Sequence, residues 1–127
     1  MSGAAVLVAL ALFQVKHYLA DFHYQSAWMV ASKGHYGRWG GVAHAGLHGG
    51  LSLLVLIVVA PSMPMVVVLL VLAEIVVHYH IDWIKARGTE LRGLEQDDRA
   101  FWRWLGLDQA AHHLTYIAML AILIAAA

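Results

Sequence analysis

Apolar residues in this 127-residue chain fall in long runs, not in alternation. Four stretches are apolar nearly throughout: residues 4–22, 42–60, 65–84 and 109–125. Crossing ~30 Å of hydrocarbon at ~1.5 Å per residue takes ~20 such residues. Val and Ile are frequent, but lipid admits only helices and closed barrels. With no period-two pattern, the runs are helices. The chain is therefore expected to be all-α, one transmembrane domain over residues 1–127, folded as an integral membrane four-helix up-down bundle. The first run has no basic stretch before it and leads straight into polar residues, so it reads as a retained span and not a signal peptide.

The polar segments predict two kinds of connection. Pro61, Ser62 and Pro64 make a short uncharged turn. Residues 22–41 and 85–107 make long polar loops with Trp and Tyr at the positions of interface anchors. Within the second loop, Phe101-Trp102-Arg103-Trp104-Leu105 fits either a short amphipathic helix lying on the membrane or an aromatic belt.

Composition narrows the class. Hydrophobic residues are 61% of the chain and charged residues 13%, against roughly 25% charged in soluble domains. That excludes disorder. Eight basic and eight acidic residues cancel, so no basic excess exists to neutralise phosphates, and nucleic acid is not expected as a partner. With no Cys there is neither a disulfide framework nor a thiolate site. The partner implied is the lipid bilayer; an oligomer is compatible with all of this.

Charge position sets orientation. Lys16, Lys33, Arg38, Lys85, Arg87, Arg92, Arg99 and Arg103 all lie in or near the two long loops. The positive-inside rule then puts both loops in the cytoplasm and both termini outside.

The candidate chemistry sits at that same face. Each predicted helix carries two metal-ligand residues four apart: His17 and Asp21, His44 and His48, His78 and Asp82, Asp108 and His112. A spacing of four puts both side chains on one helix face. The pairs fall at the C-terminal ends of helices one and three and the N-terminal ends of helices two and four, so an up-down bundle brings all eight together. Glu74 extends the third stripe one turn deeper, and Gln14 and Gln25 flank the first. His23, His35, His80 and His113 lie off these stripes and read as interface or supporting residues. Gly46, Gly49 and Gly50 permit close helix approach. The repeated His-x3-Asp of helices one and three, and Arg-Trp before helices two and four, are compatible with two repeated helical hairpins.

Imidazole and carboxylate ligands suit zinc first, with iron or manganese as other fits. Eight candidates exceed one tetrahedral ion and suit two divalent ions. Such a pair, roughly 3.5–4 Å apart, activates water and stabilises charge on a phosphoryl or acyl oxygen. Glu74 then reads as a general base or bridging ligand. Lys85 reads equally as a holder of an anionic head group and as a topology-setting charge; Lys33 fits either role, and Arg38 reads first as a topology-setting charge. The Asp-rich i,i+4 pattern differs from the Glu-x-x-His of di-iron bundles.

His17-x3-Asp21-Phe22-x2-Gln25, Lys33, His44-x3-His48, His78-x3-Asp82-x2-Lys85 and Asp108-Gln109-x2-His112 together resemble a family of small bacterial inner-membrane proteins of unknown function. The resemblance covers nearly the whole chain and implies a four-span protein of the bacterial plasma membrane. More distantly, His78-Tyr-His-Ile-Asp82 is similar to an element of bacterial membrane-bound metal-dependent hydrolases. Only His78 and Asp82 carry over, and the Pro-x-Gly that often follows there is missing.

The expected function is a metal-dependent hydrolase acting at the cytoplasmic interface on a lipid-like or phosphorylated small molecule. A metal or proton transporter is the first rival, and a metal-stabilised structural or sensory module the second. A pathway needs polar residues through the whole membrane. Residues 4–13, 51–59, 65–73 and 117–125 contain no ionisable group, which favours a closed site.

Overall fold

Helix α1 (Gly3–Leu19) begins where the Ser2 hydroxyl accepts the Ala5 amide at 3.2 Å. These features belong to a computed structural model that describes residues 2–127. A π-helical turn, Ala20–Tyr24, follows α1 directly. Ser26 then caps a short helix, α2 (Ala27–Ser32). α3 (Trp39–Val59) and α4 (Pro64–Leu91) are joined by the Pro61 turn, with Pro64 preset for the first turn of α4. α5 (Arg99–Ala126) completes the chain.

The four long helices run alternately up and down. α1 packs on α3 and α5, and α4 packs on α3 and α5, which closes a ring. All four are long and apolar enough to cross a membrane. Leu7, Val58, Met65, Leu72 and Leu114 are each more than half exposed on the outer faces. Such a surface suits lipid tails and would aggregate in water. The interior divides in two. Toward Gly3 and Ala126 it is aliphatic and aromatic, built around Phe13, Leu56, Val67, Leu120 and Leu123. Toward the other end it is polar: Lys16, His17, His44, His48, Glu74, His78, Asp82, Asp108 and His112 are all buried.

The long loops are shorter than the hydropathy pattern predicts. α4 continues past Ile84 to Leu91, and α5 starts at Arg99 instead of residue 109. Phe101–Leu105 is thus the first part of α5 and not a separate interfacial helix. At ~1.5 Å per residue, the 28 residues of each helix reach about 42 Å, well beyond the hydrocarbon. The helix stops at chemistry specific to stopping. Gly93, at φ 58°, ends α4, with Gly93 N donating to Glu90 O and Leu94 N to Thr89 O. The first loop contains α2, held close to α3 because Gly40 leaves no Cβ where Ser32 and the Trp28 carbonyl sit.

Of the glycines expected to aid close approach, Gly49 does so, against Ile75. Gly46 and Gly50 have nothing within 4 Å. Gln14, expected on the polar stripe of α1, is exposed; Lys16 faces inward instead. The two hairpins differ in detail, since only the first carries a π turn and an extra helix.

Candidate metal centre

α4 contributes its stripe as the spacing predicts. Glu74, His78 and Asp82 point inward from successive turns and are all buried. α3 contributes His44 and His48, fully buried, with ring centroids 4.7 Å apart. α5 contributes His112, whose Nδ1–H donates to the Asp108 carbonyl at 2.9 Å. That bond fixes the tautomer and leaves the Nε2 lone pair free. α1 contributes Asp21 through the π turn. The widened turn carries an extra residue, a device common at functional sites. It aims Oδ1 at His48 Nε2 (3.1 Å) and His44 Nε2 (3.2 Å), while Oδ2 faces His17 Nε2 (3.2 Å). The Gln25 amide N–H donates to the Asp21 carbonyl and so ties the turn down.

Two groups of donors result, with all donor atoms of a group within 4.8 Å of one another. One is Asp21, His44, His48 and His78; the other is His78, Asp82 and His112. His78 belongs to both. Its ring lies 3.8 Å from that of His48 and 4.1 Å from that of His112, centroid to centroid.

These donors can hold metal ions, on two observations. First, the spacing fits: a tetrahedral zinc with bonds of ~2.0–2.1 Å sets its donors about 3.3 Å apart. Asp21 Oδ1 lies 3.2 and 3.1 Å from His44 Nε2 and His48 Nε2, and the Asp82 carboxylate lies 3.5 Å from His78 Nε2 and 3.9 Å from His112 Nε2. Second, the protein leaves the donors unsatisfied. His78 Nε2 and His112 Nε2 are buried without a hydrogen-bond partner, as is His78 Nδ1. Each orphan costs about 1–3 kcal/mol unless something else fills it. His44 Nε2 meanwhile faces Asp21, Asp82 and the Lys33 ammonium together, more neighbours than one ring nitrogen can satisfy by hydrogen bonding.

Two of the eight expected ligands stand beside these groups. His17 Nδ1 lies 2.8 Å from the Tyr116 hydroxyl and Nε2 3.0 Å from Gln109 Oε1, so both its nitrogens are engaged. Asp108 is buried above His112, with Oδ2 accepting from the Gln109 amide at 3.1 Å. Glu74 is in neither group. Its Oε1 accepts from Lys16 Nζ at 2.7 Å, beneath the histidines, which differs from the expected bridging ligand or base. Lys33 Nζ is 3.0 Å from Asp82 Oδ2 and 3.0 Å from His44 Nε2. Lys85 Nζ lies over the Phe101 ring at 5.3 Å. Arg38 is exposed at the N-cap of α3.

The histidines off the stripes serve elsewhere. His80 Nδ1–H donates to the Val76 carbonyl (2.7 Å), so its Nε2 accepts from the Tyr36 hydroxyl (3.1 Å) and pins the α2–α3 loop. His113 packs beside His17, and His23 and His35 are exposed.

Lys16 and Tyr116 are the residues that sequence reasoning missed. Lys16 reads as one more loop-proximal charge, yet it is 5% exposed. It donates to Glu74, to the His48 carbonyl (3.3 Å) and weakly to His48 Nδ1 (3.4 Å), and lies 4.3 Å over the Tyr116 ring. The signal was available. Glu74 inside a span needs a countercharge, and Lys16 is the basic residue that lies within a predicted span and not in a loop. Tyr116 is the next i+4 position after Asp108 and His112.

A polar cleft of about 230 Å³ opens above the donors. Asp21, Asp82 and Asp108 line it together with Lys33 and Lys85.

No curated protein and no solved structure matches the chain. A family model does match, over residues 9–127, which is nearly the whole bundle and every donor named above. The chain belongs to that family, described as Protein of unknown function (DUF3307).

Proposed function

We propose that this protein is a membrane-embedded dinuclear metal hydrolase acting on a lipid-like or phosphorylated substrate. Zinc is the metal its imidazole and carboxylate donors suit best, with iron or manganese as other fits. Asp21, His44 and His48 hold one ion and Asp82 and His112 the other, with His78 between them. His17 and Asp108 stand next to these ligands and orient them. The observation that carries the reading is the shared His78, buried with both ring nitrogens unpartnered among five other donors. Two divalent ions supply an activated water and stabilise charge on a phosphoryl or acyl oxygen. Lys33 then turns from Asp82 toward the cleft, and with Lys85 it holds the anionic part of the substrate. Glu74 acts through Lys16, which faces His48, and not on the substrate itself.

A closed site is favoured over a transport pathway by what lies beneath it. The Lys16 ammonium stands under the donors, where it repels any cation moving deeper. Below that, Phe13, Leu56 and Leu120 fill the bundle. The clustering of basic residues supports a cytoplasmic position for the cleft in a bacterial plasma membrane, with both ends of the chain outside.

Elemental analysis of detergent-purified protein tests the reading. About two transition-metal ions per chain are expected, removable by chelators. Metal-free protein unaffected by chelators overturns it. Proteoliposome flux of metal or protons that depends on Asp82 would favour transport instead.

A further inference from the structure

Beside the polar cleft, between α4 and α5, lies a second cavity of about 170 Å³. Its wall is apolar: Ile81, Ile84, Trp104, Leu107 and Ala111. Lys85 and Asp108 line both cavities, so the two adjoin at these side chains. Ile84 and Leu107 are each more than half exposed, so the groove opens sideways on the outer face of the bundle, at the level where the helices leave the hydrocarbon. Its inner wall is held in place from α4: the Trp104 ring lies against Gly88, where a Cβ would stand 2.9 Å from the ring, and the Arg92 guanidinium, donating to the Gly88 carbonyl, lies 4.9 Å from the ring centroid.

We propose that the substrate is an anionic amphiphile bound in two parts, its head group in the cleft and its hydrocarbon chain in the α4–α5 groove. This rests on the dinuclear reading above. Charge makes the commitment to an anion. Three carboxylates face two ammonium groups in the cleft, so without ions it is net negative and repels an anionic head. Two divalent ions reverse that sign. The chain does not gain from leaving water, since lipid tails are equally apolar. The groove instead fixes where the chain lies, and therefore which bond of the head group stands over the ions. Lys85, at the junction, meets the head where it joins the chain.

The test uses alkyl phosphates as probes on full-length protein in nonionic detergent, with binding corrected for partition into protein-free micelles. Affinity for metal-loaded protein should rise at least tenfold from inorganic phosphate to dodecyl phosphate. It should fall at least tenfold after chelation, and dodecyl trimethylammonium should not compete. Ala111→Phe fills the groove, and should weaken dodecyl phosphate at least tenfold while leaving inorganic phosphate and metal content unchanged. The chain-length series on unaltered protein stands by itself should that variant misfold. Equal affinity for inorganic and dodecyl phosphate, or no effect of Ala111→Phe with metal content intact, overturns the amphiphile but leaves the metal centre. Metal-free protein in the same samples overturns the reading beneath it.

Discussion

Around Phe13, Leu56, Leu120 and Leu123 the four helices meet mainly through aliphatic and aromatic side chains. Further along the same helices, six histidine and aspartate residues bring their donor atoms into two groups, each within 4.8 Å, with a lysine and a glutamate beneath them. In lipid there is no hydrophobic force to join helices, so the aliphatic end is held by close packing. The polar end is held by paired charge, and its donors remain incompletely satisfied. Stability and chemistry are therefore assigned to different lengths of the same four helices, and substitutions should separate them.

The largest separation is expected at His78. His78→Ala removes a donor from both groups, so metal content should drop from about two ions per chain to near zero. His112→Ala touches only one group and should leave about one. Elemental analysis of both variants decides this, and equal loss would break the assignment of two sites.

Next in size is the buried pair. Lys16→Met leaves the Glu74 carboxylate buried without a partner, a change that typically costs about 3–5 kcal/mol. Lys16→Met with Glu74→Gln should recover most of it. Denaturation in mixed micelles would show this, and a double variant as unstable as the single would mean that the ammonium acts on the histidines and not on Glu74.

Leu56→Ala, at the aliphatic end, should cost about 2 kcal/mol, the low part of the range for large-to-small changes, because only packing is lost. Metal content should stay unchanged. Loss of metal would show that the two ends are coupled.

The smallest effect should come from Gly46→Ala, on a helix face with open space around it. It should change stability by less than about 0.5 kcal/mol and leave metal alone.

The comparison also explains what was legible in advance. The spans were, because lipid contact demands unbroken apolar runs. The α3 and α4 donors were, because regular helix converts a spacing of four into one face. Helix ends were not. The charges of Lys85, Arg87, Glu90, Arg99 and Arg103 mark where the helices leave the hydrocarbon, and charge reports that exit without ending a helix; Gly93 ends α4. The α1 donors were only half legible. A regular helix predicts equivalent roles for His17 and Asp21, but the π turn swings Asp21 toward α3 and leaves His17 on Tyr116. Lys16 was hidden by its neighbours, since a charge near the end of a span resembles an interface residue until a partner on another helix is known.

The Lys16–Glu74 pair makes the docking of two helices interdependent. Its two members lie 58 residues apart, on α1 and α4. A helix carrying an unpaired ammonium enters the bilayer at a cost, relieved near the membrane surface when the long side chain reaches for water. Drawing the Lys16 ammonium inward is therefore favourable only with the Glu74 carboxylate beside it, so the pair that closes the floor of the site also makes a complete polar end conditional on α1 and α4 being docked together.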